Sequence, residues 1–194
     1  MTRAAERIGV FGGTFDPPHI GHVAVATDVA DALDLDLLLW VPARRSPLKE
    51  HAPDTPDSVR TEMIDVAASA DPRFRVDTRE LERPPPSFTV DTLEELRSEV
   101  GAETELFLIV GADQYEDFAR WREPDRIRRL ATVVVIDREG RGLEDADREA
   151  MAVPVRRVDV SASEIRGLAA SGASILGRVP EGVAAIIERE RLYA

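Results

Sequence analysis

The chain reads as an α/β protein, a Rossmann-like doubly wound parallel sheet with helices on both faces. Three observations predict this. Short apolar runs alternate with stretches of helical spacing along the whole length. The runs are continuously apolar, as strands covered on both faces are. Polar clusters follow the runs, and in open parallel sheets ligands bind beyond the carboxyl ends of the strands. A β-α-β-α alternation with right-handed crossovers winds such a sheet in both directions.

The elements follow in order. "RIGVF" (7–11), "LLLWV" (37–41), "RFRV" (73–76), "ELFLIV" (105–110) and "TVVVI" (132–136) predict buried strands, and "VPVRRVDV" (153–160) predicts a sixth. Residues 20–33, 57–69, 91–99 and 124–130 have helical spacing and good helix formers. Two more helices are expected at 163–171 and at 180–190, the latter with Pro180 near its first turn. The acidic stretch between 140 and 152 reads as a solvated loop or short helix. The 194 residues are expected to form one domain, 1–194, with a helical part from about 159 onward.

Composition narrows the function. The net charge of −12 argues against broad binding to DNA or RNA, which needs a positive surface. It leaves room for a small phosphorylated ligand in a local basic pocket. There are no cysteines, which removes disulfides, thiolate metal sites and a Cys nucleophile. No apolar run approaches the ~20 residues needed to span a bilayer, and no signal-peptide core opens the chain, so no membrane partner and a cytoplasmic location are expected. Of 25 basic residues 24 are arginine; the single lysine is Lys49. Codon bias in a GC-rich genome accounts for that skew, and a salt-adapted surface is the alternative.

Several clusters carry chemistry. In "GGTFDPPHIGH" (12–22), Gly12 and Gly13 allow the main chain to approach a ligand closely, and Pro17 and Pro18 stiffen the loop. His19 and His22 share one face of a helix start, where N–H groups and the helix dipole suit phosphate. The pair is open to four readings: metal ligation, acid–base work, a phosphate grip, or structure. Zinc needs a third ligand, and the remaining His51 lies far along the chain. Neither the Walker pattern nor G-x-G-x-x-G is present. In "PSFTVDTL" (86–93), Ser87 or Thr89 can cap a helix. Asp113 follows a buried strand and can accept hydrogen bonds from a ribose or cap a helix. Trp121 is either core or a stacking surface for a planar ring. In "DVSASEIRG" (159–167), Ser161 and Ser163 with Arg166 form either a triphosphate cradle or a plain helix cap.

Taken together, "GGTFDPPHIGH" resembles the H-x-G-H motif of the nucleotidyltransferase superfamily, and the longer string resembles bacterial nicotinate-nucleotide adenylyltransferases. Five further stretches resemble that family. "VPARRSPLKE" (41–50) is similar to a loop ending Pro-Pro-His-Lys, with Ser46 and Leu48 departing from it and Lys49 retained. "PSFTVDTL" is similar to Ser-Tyr-Thr-x-Asp-Thr-Leu, with Phe88 at the Tyr. "IVGADQYEDFARW" (109–121) is similar to Gly-x-Asp followed by Trp, and "DVSASEIRG" to a Ser-Ser-Thr-x-Ile-Arg run, with Ala162 at its second Ser. "DREG" (137–140) resembles an Arg-x-Gly segment.

The resemblance implies transfer of AMP from ATP to nicotinate mononucleotide, giving deamido-NAD and pyrophosphate. It implies that His19, His22, Lys49 and Arg166 act on the phosphates. The ATP side would take Gly12, Gly13, Thr14 and Phe15 with the histidines, then Gly111 and Asp113, then Arg138, and last Ser161, Ser163 and Arg166. The mononucleotide side would take Lys49, Ser87, Phe88 and Thr89, with Trp121 against the pyridine ring. Mg²⁺ would enter with ATP, with no dedicated metal site. Rival readings are transfer to nicotinamide mononucleotide or 4′-phosphopantetheine, and a non-catalytic nucleotide-binding protein of the same fold. A homo-oligomer is compatible with the sequence, though no patch identifies an interface.

Overall fold

The computed structural model describes residues 6–44, 53, 55–137 and 150–194. Six parallel strands form one sheet: β1 (Arg7–Gly13), β2 (Leu37–Pro42), β3 (Phe74–Val76), β4 (Glu105–Gly111), β5 (Thr132–Asp137) and β6 (Ala150–Pro154). Their order across the sheet is β3-β2-β1-β4-β5-β6. The chain winds outward from β1 to β3, then returns to lay β4 against the other side of β1. A crevice therefore opens between the carboxyl ends of β1 and β4, where such sheets hold their ligands.

The helices are α1 (Ile20–Ala32), α2 (Asp57–Ala68), α3 (Arg79–Glu82), α4 (Thr89–Val100), α5 (Ala112–Glu116), α6 (Pro124–Leu130), α7 (Ala162–Ala170) and α8 (Glu181–Arg189). Strand pleating sends alternate side chains into two cores. Ile8 and Val10 of β1, Leu106, Leu108 and Val110 of β4, and Val133 and Val135 of β5 pack with Leu93 and Leu96 of α4 and Ile127 of α6. Phe11, Phe107, Ile109, Val134 and Ile136 face the other way. They meet Val25 and Val29 of α1, Met63 and Ile64 of α2, Ile165 of α7 and Val183 of α8. Among the described residues no helix is long and apolar enough to cross a membrane.

The expected strands and helices are present, most within two residues of their predicted ends. β6 is the exception. It runs over Ala150–Pro154 rather than 153–160, so Ala150, Met151 and Ala152 belong to a strand and not to a loop. As an edge strand its limits follow its pairing with β5, from Val133 opposite Ala150 to Asp137 opposite Pro154. Beyond Pro154 the chain leaves the sheet for α1. There the Arg156 backbone N–H donates to Asp28 Oδ2 at 2.7 Å and its Nε to Oδ1 at 2.8 Å. That pairing holds the Asp28 carboxyl below its usual range. The short helices α3 and α5 and a 3₁₀ turn at Phe118–Arg120 are additions that the sequence reading lacked.

Candidate active site

Two cavities open at the carboxyl end of the sheet and share Gly12, Gly13, Thr14 and Gln114 in their walls. The smaller, about 200 Å³, lies on the α4 side and includes Ser87, Phe88, Thr89 and Trp121 in its lining. The larger, about 500 Å³, lies on the α1 and α7 side, with Phe15, Asp16, His19, His22, Gly111, Asp113 and Arg166.

The histidine pair is built by the start of α1. His19 is the N-cap; its Nδ1 accepts the backbone N–H of His22 at 3.3 Å, and the His22 Nδ1 accepts the backbone N–H of His19 at 3.1 Å. The rings stack with centroids 3.6 Å apart. This is a capping box made from imidazoles, and it explains the spacing of three. With each Nδ1 accepting, the proton of a neutral ring sits on Nε2, which makes Nε2 the donating atom. Gly21 completes the motif: a Cβ there would lie 3.1 Å from the His19 ring and 3.0 Å from Val160. The backbone cradle expected at this helix start is largely occupied, because Ile20 N–H donates to the Arg178 carbonyl at 3.0 Å and His22 N–H turns to His19.

Behind the pair stands an aromatic wall. Phe15, in the left-handed region with φ 49°, turns its buried ring under Gly13 and edge-on to His22 at 5.1 Å. Phe11 and Trp40 close the same cluster. Phe15 thus supports His22 and also lines the larger cavity. Arg166, one turn into α7, donates from Nη1 to the Asp16 carbonyl at 2.8 Å and lines the larger cavity. Ser161 is the N-cap of α7, accepting from Glu164 N–H at 3.2 Å. Ser161 and Ser163 are exposed and do not line the cavity, whereas Ala162 does.

The smaller cavity is floored by Val10, Leu108 and Val110 and walled by Trp121, which packs on Phe118 at 5.3 Å. The Trp121 indole nitrogen is buried without a hydrogen-bond partner among the described residues, so packing alone sets the ring. Thr89 is the first residue of α4, following Phe88, its N-cap. Ser87 is buried and its hydroxyl donates to the Glu80 carbonyl at 3.2 Å. Burial pushes the Glu80 carboxyl up, against the opposing hydrogen bond from Thr92 at 2.7 Å and the nearby Arg83 charge.

The sequence reading missed Glu80, Gln114 and Arg60. Gln114 Oε1 accepts Gly111 N–H at 3.2 Å. Arg60 is fully buried; its Nη1 donates to the carbonyls of Thr14 at 2.7 Å and Ala43 at 3.0 Å, and Nη2 meets Asp57 at 2.5 Å. It clamps the loops after β1 and β2 together. Its signal was an arginine in the apolar stripe of α2, beside Met63, Ile64 and Ala67. Lys49 and Arg138 lie outside the described residues.

This fold, with paired histidines after the first strand, defines a nucleotidyltransferase, and the chain belongs to the cytidylyltransferase-like family, whose model matches residues 10–168. Its relatives are more specific. A Thermus thermophilus protein named a probable nicotinate-nucleotide adenylyltransferase is 43% identical over 187 residues, covering 96% of this chain and 99% of that one. A Geobacillus kaustophilus protein of the same name is 39% identical, covering 96% and 86%. The fold matches the Plasmodium falciparum nicotinic acid mononucleotide adenylyltransferase complexed with NaAD, with a TM-score of 0.78 at 17% identity over 97% of each chain.

Proposed function

We propose that the protein is a nicotinate-nucleotide adenylyltransferase, transferring AMP from ATP to nicotinate mononucleotide in NAD biosynthesis. The observation that carries this reading is the meeting of two unlike cavities at Gly12, Gly13 and Thr14. One is apolar with an aromatic wall and suits a pyridine ring; the other is polar with paired histidines and an arginine and suits a triphosphate. The relatives of the same name support the choice of acceptor.

The mononucleotide phosphate attacks the α-phosphorus of ATP in line. A P–O bond forms there as the bond to the bridging oxygen of the β-phosphate breaks, and pyrophosphate leaves with that electron pair. The attacking phosphate is already anionic at neutral pH, so the reaction requires no base. The protein's work is to align two anions and to stabilise charge moving onto pyrophosphate. His19 and His22 donate to the transferring phosphate region from Nε2. Arg166 holds the β- and γ-phosphates, with the α7 start beside it, and Lys49 neutralises charge between the substrates. Arg138, Ser161 and Ser163 complete the nucleotide contacts, and Asp113 accepts from a ribose. Trp121 stacks on the pyridine ring, while Ser87, Phe88 and Thr89 bind its carboxylate end.

Among the described residues no group of three or more His, Asp or Glu side chains is arranged to hold a metal ion. A divalent cation fits this site as a companion of the triphosphate, and Mg²⁺, held mainly by phosphates and water, is the ion of choice. When bound with the triphosphate it would offset phosphate charge. We read residues 1–194 as one nucleotidyltransferase domain at work in the cytoplasm.

The test is pyrophosphate release with Mg-ATP and nicotinate mononucleotide, nicotinamide mononucleotide or 4′-phosphopantetheine. Clear preference for the first is expected. Preference for another acceptor overturns the substrate assignment. Release with none, despite ATP binding, overturns the enzymatic reading.

A further inference from the structure

Asp16 lies inside the glycine-histidine loop and lines the larger cavity, yet its carboxylate is engaged by the protein itself. It is buried, and its Oδ1 accepts two short hydrogen bonds, from Thr55 Oγ1 at 2.6 Å and from Tyr193 Oη at 2.6 Å. Its main-chain carbonyl accepts from Arg166 Nη1 at 2.8 Å. One residue of the loop before α1 thus meets three distant segments: the stretch before α2, the turn after α8, and α7.

The turn after α8 is shaped for this contact. Arg191 and Tyr193 both occupy the left-handed region, at φ 52° and 65°, where side-chain-bearing residues are uncommon. Leu192 N–H donates to the Ile187 carbonyl at 3.0 Å, and Leu192 and Tyr193 pack on the core beneath α1 and α2. Such a backbone persists where its surroundings over-determine it. Burial and the Asp16 carboxylate push the Tyr193 hydroxyl up, so it stays a proton donor.

We propose that Tyr193 is a positioning residue for the triphosphate: by holding the Asp16 carboxylate it fixes the Asp16 carbonyl, which sets the guanidinium of Arg166. This rests on the reading of the larger cavity as the ATP site. Tyr193 lines neither cavity, and its effect runs through Arg166, so it acts on ATP and leaves the pyridine nucleotide alone.

The experiment uses the full chain and its Tyr193→Phe variant, which keeps the ring and loses the hydroxyl. ATP binding is read by calorimetry, and the KM of each substrate by pyrophosphate release. Loss of one hydrogen bond to a carboxylate is expected to weaken ATP about fivefold, in both Kd and KM, with the KM of nicotinate mononucleotide unchanged. The same pair is compared in an Arg166→Lys background, where the charge remains and the planar fork does not. There the fivefold factor is expected to vanish. Equal rises in both KM values, an undiminished factor in the Arg166→Lys background, or a lowered melting temperature with unchanged ATP affinity would each overturn the proposal. Thr55→Val, which removes the other donor to the same oxygen, provides the same readings if Tyr193→Phe fails to fold. The calorimetric arm needs no acceptor, so a wild-type chain that binds ATP without turnover sinks the adenylyltransferase reading and still decides the role of Tyr193.

Discussion

The two cavities differ in how they are held. The walls of the smaller one are continuous with a hydrophobic core: Val10, Leu108, Val110, Ile127 and Trp121 pack in the cluster under α4 and α6. The larger one rests on a polar scaffold, in which the His19–His22 capping box, the Arg60 clamp on Thr14 and the Asp16 junction each fix a main-chain position by hydrogen bonds. A flat ring needs shape and a dry surface, and packing supplies both. Phosphates need donors at fixed places, and a rigid polar network supplies those. Damage to the first region should therefore appear in the affinity of the pyridine nucleotide alone, and damage to the second in turnover or in the affinity for ATP.

The sharpest break is His22→Ala. Turnover is expected to fall by about 10²–10³-fold, measured as pyrophosphate release by a variant whose circular dichroism is native. A folded variant with wild-type turnover would remove the phosphate-grip reading. Gly12→Ala tests the seam between the cavities. A Cβ at Gly12 meets nothing within 4 Å, so the melting temperature should hold. The methyl would occupy the space both substrates share, and turnover should drop by about 10²-fold through misalignment. Unchanged kinetics would show that the substrates do not meet there.

Trp121→Ala should raise the KM of nicotinate mononucleotide about tenfold, the worth of one stacked ring, and leave that of ATP alone. An effect confined to ATP would reverse the assignment of the cavities. Arg60→Met removes the clamp beneath both. Urea unfolding should show a loss of about 3 kcal/mol from the unpaired carbonyls and the Asp57 carboxylate, with both KM values rising together.

The smallest effect is expected at Glu80. Its folded carboxyl titrates above its ordinary value of 4.5, so the unfolded chain releases this proton first as pH rises. This group therefore costs stability above about pH 4.5, fully once pH passes its folded pKa. Glu80→Gln keeps an acceptor for Thr92 and removes that cost. The stability of the variant relative to wild type should grow as pH rises from 4 toward 7, read by urea midpoints. A constant difference would mean that burial does not hold the proton.

The strand and helix pattern, the carboxyl-end crevice and the histidine spacing were all legible in the chain, because each is local. Burial on both faces makes β1, β2, β4 and β5 continuous apolar runs, and a capping box needs only residues three apart. Ser87, Phe88, Thr89 and Trp121 were named from motif order, and the fold brings them into one cavity. The edges of β6 were not legible, since an edge strand takes its ends from its partner. Arg60, Glu80 and the Tyr193–Asp16 contact, 177 residues apart, were decided by tertiary structure alone. Side-chain periodicity records which face of an element is buried; it carries no record of which distant carbonyl or carboxylate a buried donor will meet. That partner is set only when the elements pack.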